Sequence, residues 1–112
     1  MQREPVNYVD AMIAAARRLA AGIAEARTWI GHADLTDNAG WRLAFLVEAR
    51  RACAGAAREL AALDERLAEI GKRPPPPLDR IAERTAAMAE ELDALTANIG
   101  ELEEASPAIG EA

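Results

Sequence analysis

Apolar residues recur at alternating steps of three and four along most of this chain, and the pattern is clearest from Leu46 to Ile70. This a/d spacing is typical of a helix that packs lengthwise on other helices. The apolar positions of the stretch are Leu46, Ala49, Cys53, Ala56, Leu60, Leu63, Leu67 and Ile70. The spacing predicts a long helix, with Leu63 fully buried in its packed seam.

The same spacing occurs once before this stretch and once after it. The earlier positions are Val9, Met12, Ala16, Leu19, Ile23, Ala26 and Ile30. The later positions are Leu78, Ile81, Thr85, Met88, Leu92, Leu95, Ile99 and Leu102. We therefore predict three helices, over residues 6–30, 37–70 and 78–104, followed by a flexible tail at residues 105–112.

Residues with helix-capping properties lie between the first two predicted helices. Glycine readily adopts the backbone conformations that close a helix, so Gly31 is predicted to be the C-cap of the first helix. This places His32 in the turn. Thr36 and Asp37 carry side-chain oxygens that accept hydrogen bonds from a helix N-terminus, so either residue is predicted to begin the second helix.

The second connection combines a glycine, two cations and four prolines. Gly71 is suited to a C-cap, and Lys72 and Arg73 would lie at the negative end of the helix dipole. Proline lacks the N–H group that a continuing helix requires, so the second helix is predicted to end before Pro74. The segment Pro74–Pro77 favours a short polyproline II connector that turns the chain.

Composition favours helix throughout the chain. Hydrophobic residues make up 51% of the sequence, and 28 residues are alanine, the strongest helix former. Only four residues are aromatic, and the alternating pattern of a half-buried strand is absent. The sequence predicts one all-α domain at residues 1–104, an elongated antiparallel three-helix bundle with coiled-coil-like heptad seams.

Charge and cysteine content predict the environment of the protein. The formal net charge is −6, and residues 79–112 carry nine acidic residues against two arginines, so no direct binding to nucleic acid or anionic lipid is expected. The single cysteine, Cys53, lies in an apolar seam, as expected of a buried thiol in a reducing compartment. No apolar run approaches the roughly 20 residues that span a bilayer, and no signal peptide is recognisable. We expect a cytoplasmic protein.

The residues that usually carry enzyme chemistry are sparse. His32 is the only histidine, and with Asp34 it falls short of the three or four ligands of a zinc site. The acidic residues of the third helix include no Glu-x-x-His pair of the kind found in carboxylate-bridged metal bundles. Neither Cys53 nor Ser106 has a histidine nearby in sequence to activate it. The sequence therefore predicts no enzymatic activity, cofactor, metal or small-molecule substrate.

A short motif lies at the predicted end of the first helix. Trp29, Ile30 and Gly31 spell W-x-G, which resembles the turn of the small secreted WXG-type helical hairpins. The resemblance covers three residues, the third helix has no counterpart, and no tyrosine follows the second helix. The chain is not assigned to that class.

Two groups of residues are candidates for an interface. Ala14 and Ala21 lie opposite the apolar seam of the first helix, where a water-facing helix usually carries charge, and we expect them to contact a second chain. Arg51, Arg58 and Arg66 recur along one side of the second helix, with Arg73 continuing the series. We expect this basic stripe to form ion pairs with the third helix or with a neighbouring chain.

These patterns favour a protein that works through helix–helix contacts. Alanine buries little apolar surface, so a slender alanine-rich bundle gains less stability per residue than a leucine-rich one and benefits from a partner. We expect a homo-oligomeric interaction module with a protein partner, such as an adaptor, an assembly factor, or a phage or secretion accessory protein. The alternative is a small acidic inhibitor whose third helix imitates a nucleic-acid backbone.

Overall fold

Three long helices account for nearly all of the described chain. The computed structural model describes residues 5–71 and 74–105, with side chains from Tyr8 onwards. Helix α1 covers Pro5–Leu35, α2 covers Ala39–Ile70 and α3 covers Leu78–Ala105. All three helix pairs are in contact, and the molecule extends over 62 × 23 × 19 Å. The predicted all-α, elongated three-helix bundle is confirmed.

The predicted apolar seams form the core. Every seam residue of the three helices is buried or half-buried, and Leu19, Leu63 and Ile99 are completely inaccessible. Thr85, the one buried polar residue among those that the structure describes, donates a hydrogen bond from its hydroxyl to the Ile81 carbonyl at 2.7 Å. Because this bond satisfies the hydroxyl within its own helix, Thr85 can occupy an apolar seam position without a desolvation penalty.

Helix α1 continues five residues beyond its predicted end at Ile30, so the predicted C-cap at Gly31 is wrong. Gly31 and His32 lie within the helix, and Ala33 is fully buried against the rest of the bundle. The guanidinium of Arg42 donates hydrogen bonds to the Ala33 carbonyl at 3.2 Å and the Thr36 carbonyl at 2.7 Å. The Arg42 side chain of the next helix therefore satisfies these two carbonyls at the end of α1. In a glycine-capped helix, backbone N–H groups just after the cap would form such hydrogen bonds instead.

Helix α2 begins at Ala39, slightly later than predicted. Its N-cap is Asn38 rather than Thr36 or Asp37, and the Asn38 Oδ1 atom accepts a hydrogen bond from the Trp41 backbone N–H at 2.9 Å. Asparagine is among the preferred N-cap residues for this reason. The connection between α1 and α2 is therefore only residues 36–38, which holds the two helices side by side and antiparallel.

The second connection agrees with the prediction in part. Gly71 ends α2 with a φ of 104°, a conformation that side chains disfavour, so the predicted glycine cap is confirmed. Lys72 and Arg73 lie outside the described residues, as does the tail beyond Ala105. Pro76 and Pro77 form a turn in which the Pro75 carbonyl accepts from the Leu78 N–H at 2.8 Å, so the polyproline II prediction does not hold there.

Candidate interaction surface

Helix α3 covers only one side of the α1–α2 pair. Two ion pairs mark the covered side: Arg27 of α1 with Glu91, and Arg50 of α2 with Glu103. On the opposite side, α1 and α2 form a groove that no described residue of α3 lines. The groove residues are Arg18, Ala21, Gly22, Glu25, Glu48, Arg51, Ala52, Gly55, Ala56 and Glu59. We call this side of the helix pair the open flank.

Small residues form the floor of the groove on the open flank. Ala21 and Gly22 of α1 face Ala52, Gly55 and Ala56 of α2, and the groove has a volume of about 420 Å³. A Cβ atom added to Gly22 would lie 3.2 Å from the Ala56 Cβ atom, which is tighter than an ordinary van der Waals contact. A side chain at position 22 would therefore require Ala56 to shift, and the two backbones approach closely here because their side chains are minimal.

Charged residues of both signs line the rim of the groove. The Arg18 Nε atom lies 3.1 Å from Glu59 Oε1 across the groove, and the Arg51 Nη1 atom lies 2.9 Å from Glu48 Oε1 one turn away in α2. Glu25 forms no ion pair with any described residue. Because the arginines are exposed and the glutamates only half-buried, each pair contributes only about 0–1 kcal/mol to folding. The rim is therefore available to interact with charges on another molecule.

An aromatic cluster continues the open flank toward the α1–α2 connection. The Phe45 ring of α2 lies at its centre, with ring centroids 5.9 Å from Trp29, 5.6 Å from His32 and 5.9 Å from Trp41. The Trp29 and His32 rings also meet edge to face at 5.8 Å. Three of the four aromatic residues of the chain and its only histidine therefore form one surface group.

The aromatic cluster is only partly covered by the rest of the protein. Trp41 is 62% exposed, and Leu35, at the end of α1 beside the same connection, is 84% exposed. Exposed tryptophan and leucine leave apolar surface in water, and tryptophan is enriched among residues that dominate protein–protein binding energy. The cluster therefore presents exposed apolar surface at the α1–α2 end of the bundle.

The structure brings two of the predicted interface residues together. Ala21 and Arg51 line the same groove, and Ala14 is exposed two turns before Ala21 on the same side of α1. Arg58 is exposed without an ion-pair partner among the described residues. Arg66 is half-buried, and its backbone carbonyl accepts a hydrogen bond from the Tyr8 hydroxyl at 3.3 Å.

Within the described residues, Arg51, Arg58 and Arg66 of the basic stripe form no ion pair with α3, and the expected alternative of pairing with a neighbouring chain stays a prediction. Arg51 pairs inside its own helix with Glu48, whereas the link to α3 comes from Arg50, which forms hydrogen bonds to both carboxylate oxygens of Glu103. This bidentate contact lowers the pKa of Glu103 and raises that of Arg50, since each stabilises the charged form of the other. Arg73 lies outside the described residues.

Sequence reasoning missed the aromatic cluster because His32 was assigned to a turn. It lies in the last turn of α1, where its ring contacts Trp29 and Phe45. A signal was present: Trp29 and His32 are three residues apart before the connection, and Trp41 and Phe45 are four apart after it. A short antiparallel connection brings two such pairs onto one face.

Other chemical features of the described chain are limited. Burial raises the pKa of the Cys53 thiol, which keeps it in its unreactive neutral form. Among residues 5–71 and 74–105, no three side chains of the His, Cys, Asp and Glu types come together in a metal-binding arrangement. No described helix combines the length and apolar character needed to cross a membrane. No protein-family model, curated protein or solved structure matches this chain.

Proposed function

We propose that this protein is a non-enzymatic helical interaction module that self-associates through its open flank and acts as an adaptor or assembly factor. The observation that carries the proposal is the continuity of this flank. A groove of small residues with a charged rim leads directly into an aromatic cluster whose Trp41 ring is 62% exposed. Such a surface offers another helix close approach, charge recognition and an apolar anchor.

The aromatic cluster supplies the driving force for association. Removing apolar surface from water contributes about 25 cal/mol per Å², and a tryptophan ring is the largest apolar group a side chain can offer. The Phe45 ring already stacks on both Trp29 and Trp41, so the three side chains are held in place before binding. Preorganised rings lose less conformational entropy when a partner covers them.

The groove supplies the geometry for a helix–helix contact. Ala21, Ala52 and Gly55 present almost no side-chain volume, so a second helix can approach the backbones closely along this line. Extensive close contact between helices gains dispersion energy from many atom pairs. Ala14 and Ala21 lie on the groove side of α1, as expected of interface residues.

The substitution Ala21→Glu tests the proposal. We expect the wild-type molar mass to exceed that of one chain and the variant to shift toward the monomer, because the larger side chain would fill the groove and prevent close approach of a second helix. The matched control is Ala24→Glu, an exposed position in the same helix that does not line the groove. Light scattering after size exclusion measures the mass, and circular dichroism verifies that helix content is unchanged.

The tryptophans provide a second readout of the same association. Both tryptophans of the chain lie in the aromatic cluster, so tryptophan emission, excited selectively over that of Tyr8, reports on that region. We expect the wild-type emission to shift to shorter wavelength as concentration rises and the exposed ring becomes covered. A wild-type protein that remains monomeric at all concentrations, or an Ala21→Glu variant of unchanged mass, would contradict the proposal.

The acidic-inhibitor alternative draws on α3. Two of its carboxylates, Glu91 and Glu103, already pair with Arg27 and Arg50, which reduces the charge that α3 presents to a partner. Binding that depends on mimicry of a phosphate backbone falls steeply between low and moderate salt, whereas association through the aromatic cluster changes little. Partner binding measured at both salt concentrations separates the two functions.

A further inference from the structure

Four of the five rim charges of the groove lie at two heights along the bundle: Arg18 and Glu59 at one, Glu25 and Arg51 near the other. Arg18 and Glu59 share one height, since they pair across the groove at 3.1 Å. Gly22 and Ala56 share another, since a Cβ atom at Gly22 would nearly touch Ala56. Glu25 lies three residues beyond Gly22, and Arg51 lies five residues before Ala56 in the antiparallel helix. At 1.5 Å per residue, Glu25 and Arg51 therefore differ in height by only about 3 Å.

A two-fold axis parallel to the long axis of the bundle turns these positions into complementary contacts. Such an axis preserves height and exchanges the two helices, so that α1 of one copy faces α2 of the other. Arg18 would then face Glu59 of the second copy, and Glu25 would face Arg51 of the second copy. Glu25, which has no ion-pair partner among the described residues of its own chain, gains one.

The same operation brings the two aromatic clusters together at one end. The clusters of the two copies lie at the same height, so the exposed Trp41 on α2 of each copy is brought to the end of α1 of the other, beside its Trp29 and His32. An antiparallel arrangement would also match charges, because Arg18 and Glu25 are placed symmetrically about Ala21 and Gly22. It would, however, place the exposed Trp41 near the opposite end of α2, where Arg66 and Glu69 lie.

We infer that the partner on the open flank is a second copy of this chain, docked in parallel about a two-fold axis along the bundle. The contacts that define the orientation are Glu25 with Arg51 and Arg18 with Glu59, each formed twice. This inference rests on the proposed self-association and adds the direction in which the two copies dock and the charge contacts between them. It also accounts for the exposure of Trp41 in the single chain.

Mixing of charge-reversal variants tests this orientation. Glu25→Arg and Arg51→Glu each place like charges opposite one another twice in a homodimer, so we expect each variant alone to associate about tenfold more weakly than wild type, or worse. In an equimolar mixture, a heterodimer of the two variants restores both opposite-charge contacts. We expect the mixture to recover nearly the wild-type dissociation constant, measured by sedimentation equilibrium. Recovery of tight association in the mixture would show that the weakening in each variant alone comes from contacts between chains, because a defect within one chain would persist in the mixture.

The matched control mixes Glu25→Arg with Arg18→Glu. This pair restores charge contacts only in the antiparallel arrangement, so we expect no recovery, while circular dichroism confirms that all three variants are folded. Recovery in this control, or undiminished association of the single variants, would overturn the parallel orientation while leaving self-association intact. A monomeric wild type would instead overturn the proposed function together with the inference.

Discussion

The two flanks of the α1–α2 pair differ in the size of their side chains, and the difference separates the flank that forms the core from the flank that we propose as the interface. Toward α3, the pair contributes large buried residues such as Leu46 and Leu19, which pack with Met88, Leu92 and Ile99. On the open flank, Gly22, Ala52 and Gly55 line the groove. Large side chains bury the apolar area that stabilises the folded chain, whereas small ones leave an open groove between α1 and α2.

The aromatic cluster is the exception on the open flank. Its large rings lie at one end, where Phe45 links Trp29 of α1 to Trp41 of α2. The half-buried Trp29 and Phe45 pack against the core, but Trp41 contributes most of its surface to solvent. The cluster therefore stabilises the end of the helix pair and also presents an apolar surface.

Leu63→Ala gives the largest expected effect on the folded monomer. Leu63 is completely buried, so the substitution should lower the free energy of unfolding by about 2–5 kcal/mol through lost burial and a residual cavity. The matched control is Leu35→Ala, where the side chain is 84% exposed and the expected change is within about 0.5 kcal/mol. Urea denaturation measures both. Equal losses in the two variants would show that the core was placed incorrectly.

Substitutions of two helical glycines sharpen the comparison on the open flank. Gly22→Leu should cost about 1–3 kcal/mol, because its Cβ atom would lie 3.2 Å from Ala56 and the remaining side chain would force the helices apart. Gly31→Ala should instead stabilise the protein by about 0.5–1 kcal/mol, since no heavy atom lies within 4 Å of the added Cβ and alanine favours helix. Thermal unfolding followed by circular dichroism measures both changes. Stabilisation by both substitutions would contradict the close approach at Gly22.

Removing the ion pair between Arg50 and Glu103 on the covered flank should give the smallest change in the free energy of unfolding, and this change should depend on pH. The Arg50 guanidinium lowers the pKa of Glu103, so this pair stabilises the protein above the unfolded-state pKa of about 4.3 and the contribution disappears as pH falls through the lowered folded-state value. Glu103→Gln should therefore cost less than about 1 kcal/mol at pH 7, screened by its partial exposure, and nothing in strong acid.

The control for this ion pair is Glu101→Gln, at an exposed position in the same helix without an ion-pair partner among the described residues. It should leave the unfolding free energy unchanged at pH 7. Unfolding midpoints of both variants across the acid range provide the measurement. A constant difference between wild type and Glu103→Gln from neutral pH to strong acid would show that the contact with Arg50 is not the cause.

The core could be predicted from the sequence because burial follows helical periodicity. Leu63, Thr85 and Ile99 were each placed in a seam by spacing alone, and each is buried. The helix ends were less predictable. Gly31, for example, is of the residue type that commonly caps a helix, but it lies inside α1. Contacts made by residues after the connection, especially Arg42 with the Ala33 carbonyl, decide where α1 ends. Local propensity cannot register a hydrogen bond that the next helix supplies.

The sequence by itself determined the number of helices, their apolar seams and the unusually small side chains at Ala14 and Ala21, because these depend on spacing within one helix. Only the tertiary structure decided which helix pair would leave a flank open and that Trp29, His32, Trp41 and Phe45 would meet there. Those features depend on the relative rotation and height of two helices. Packing of the whole core sets that alignment. The spacing of apolar residues within one helix therefore cannot predict the rotation or height of that helix relative to another.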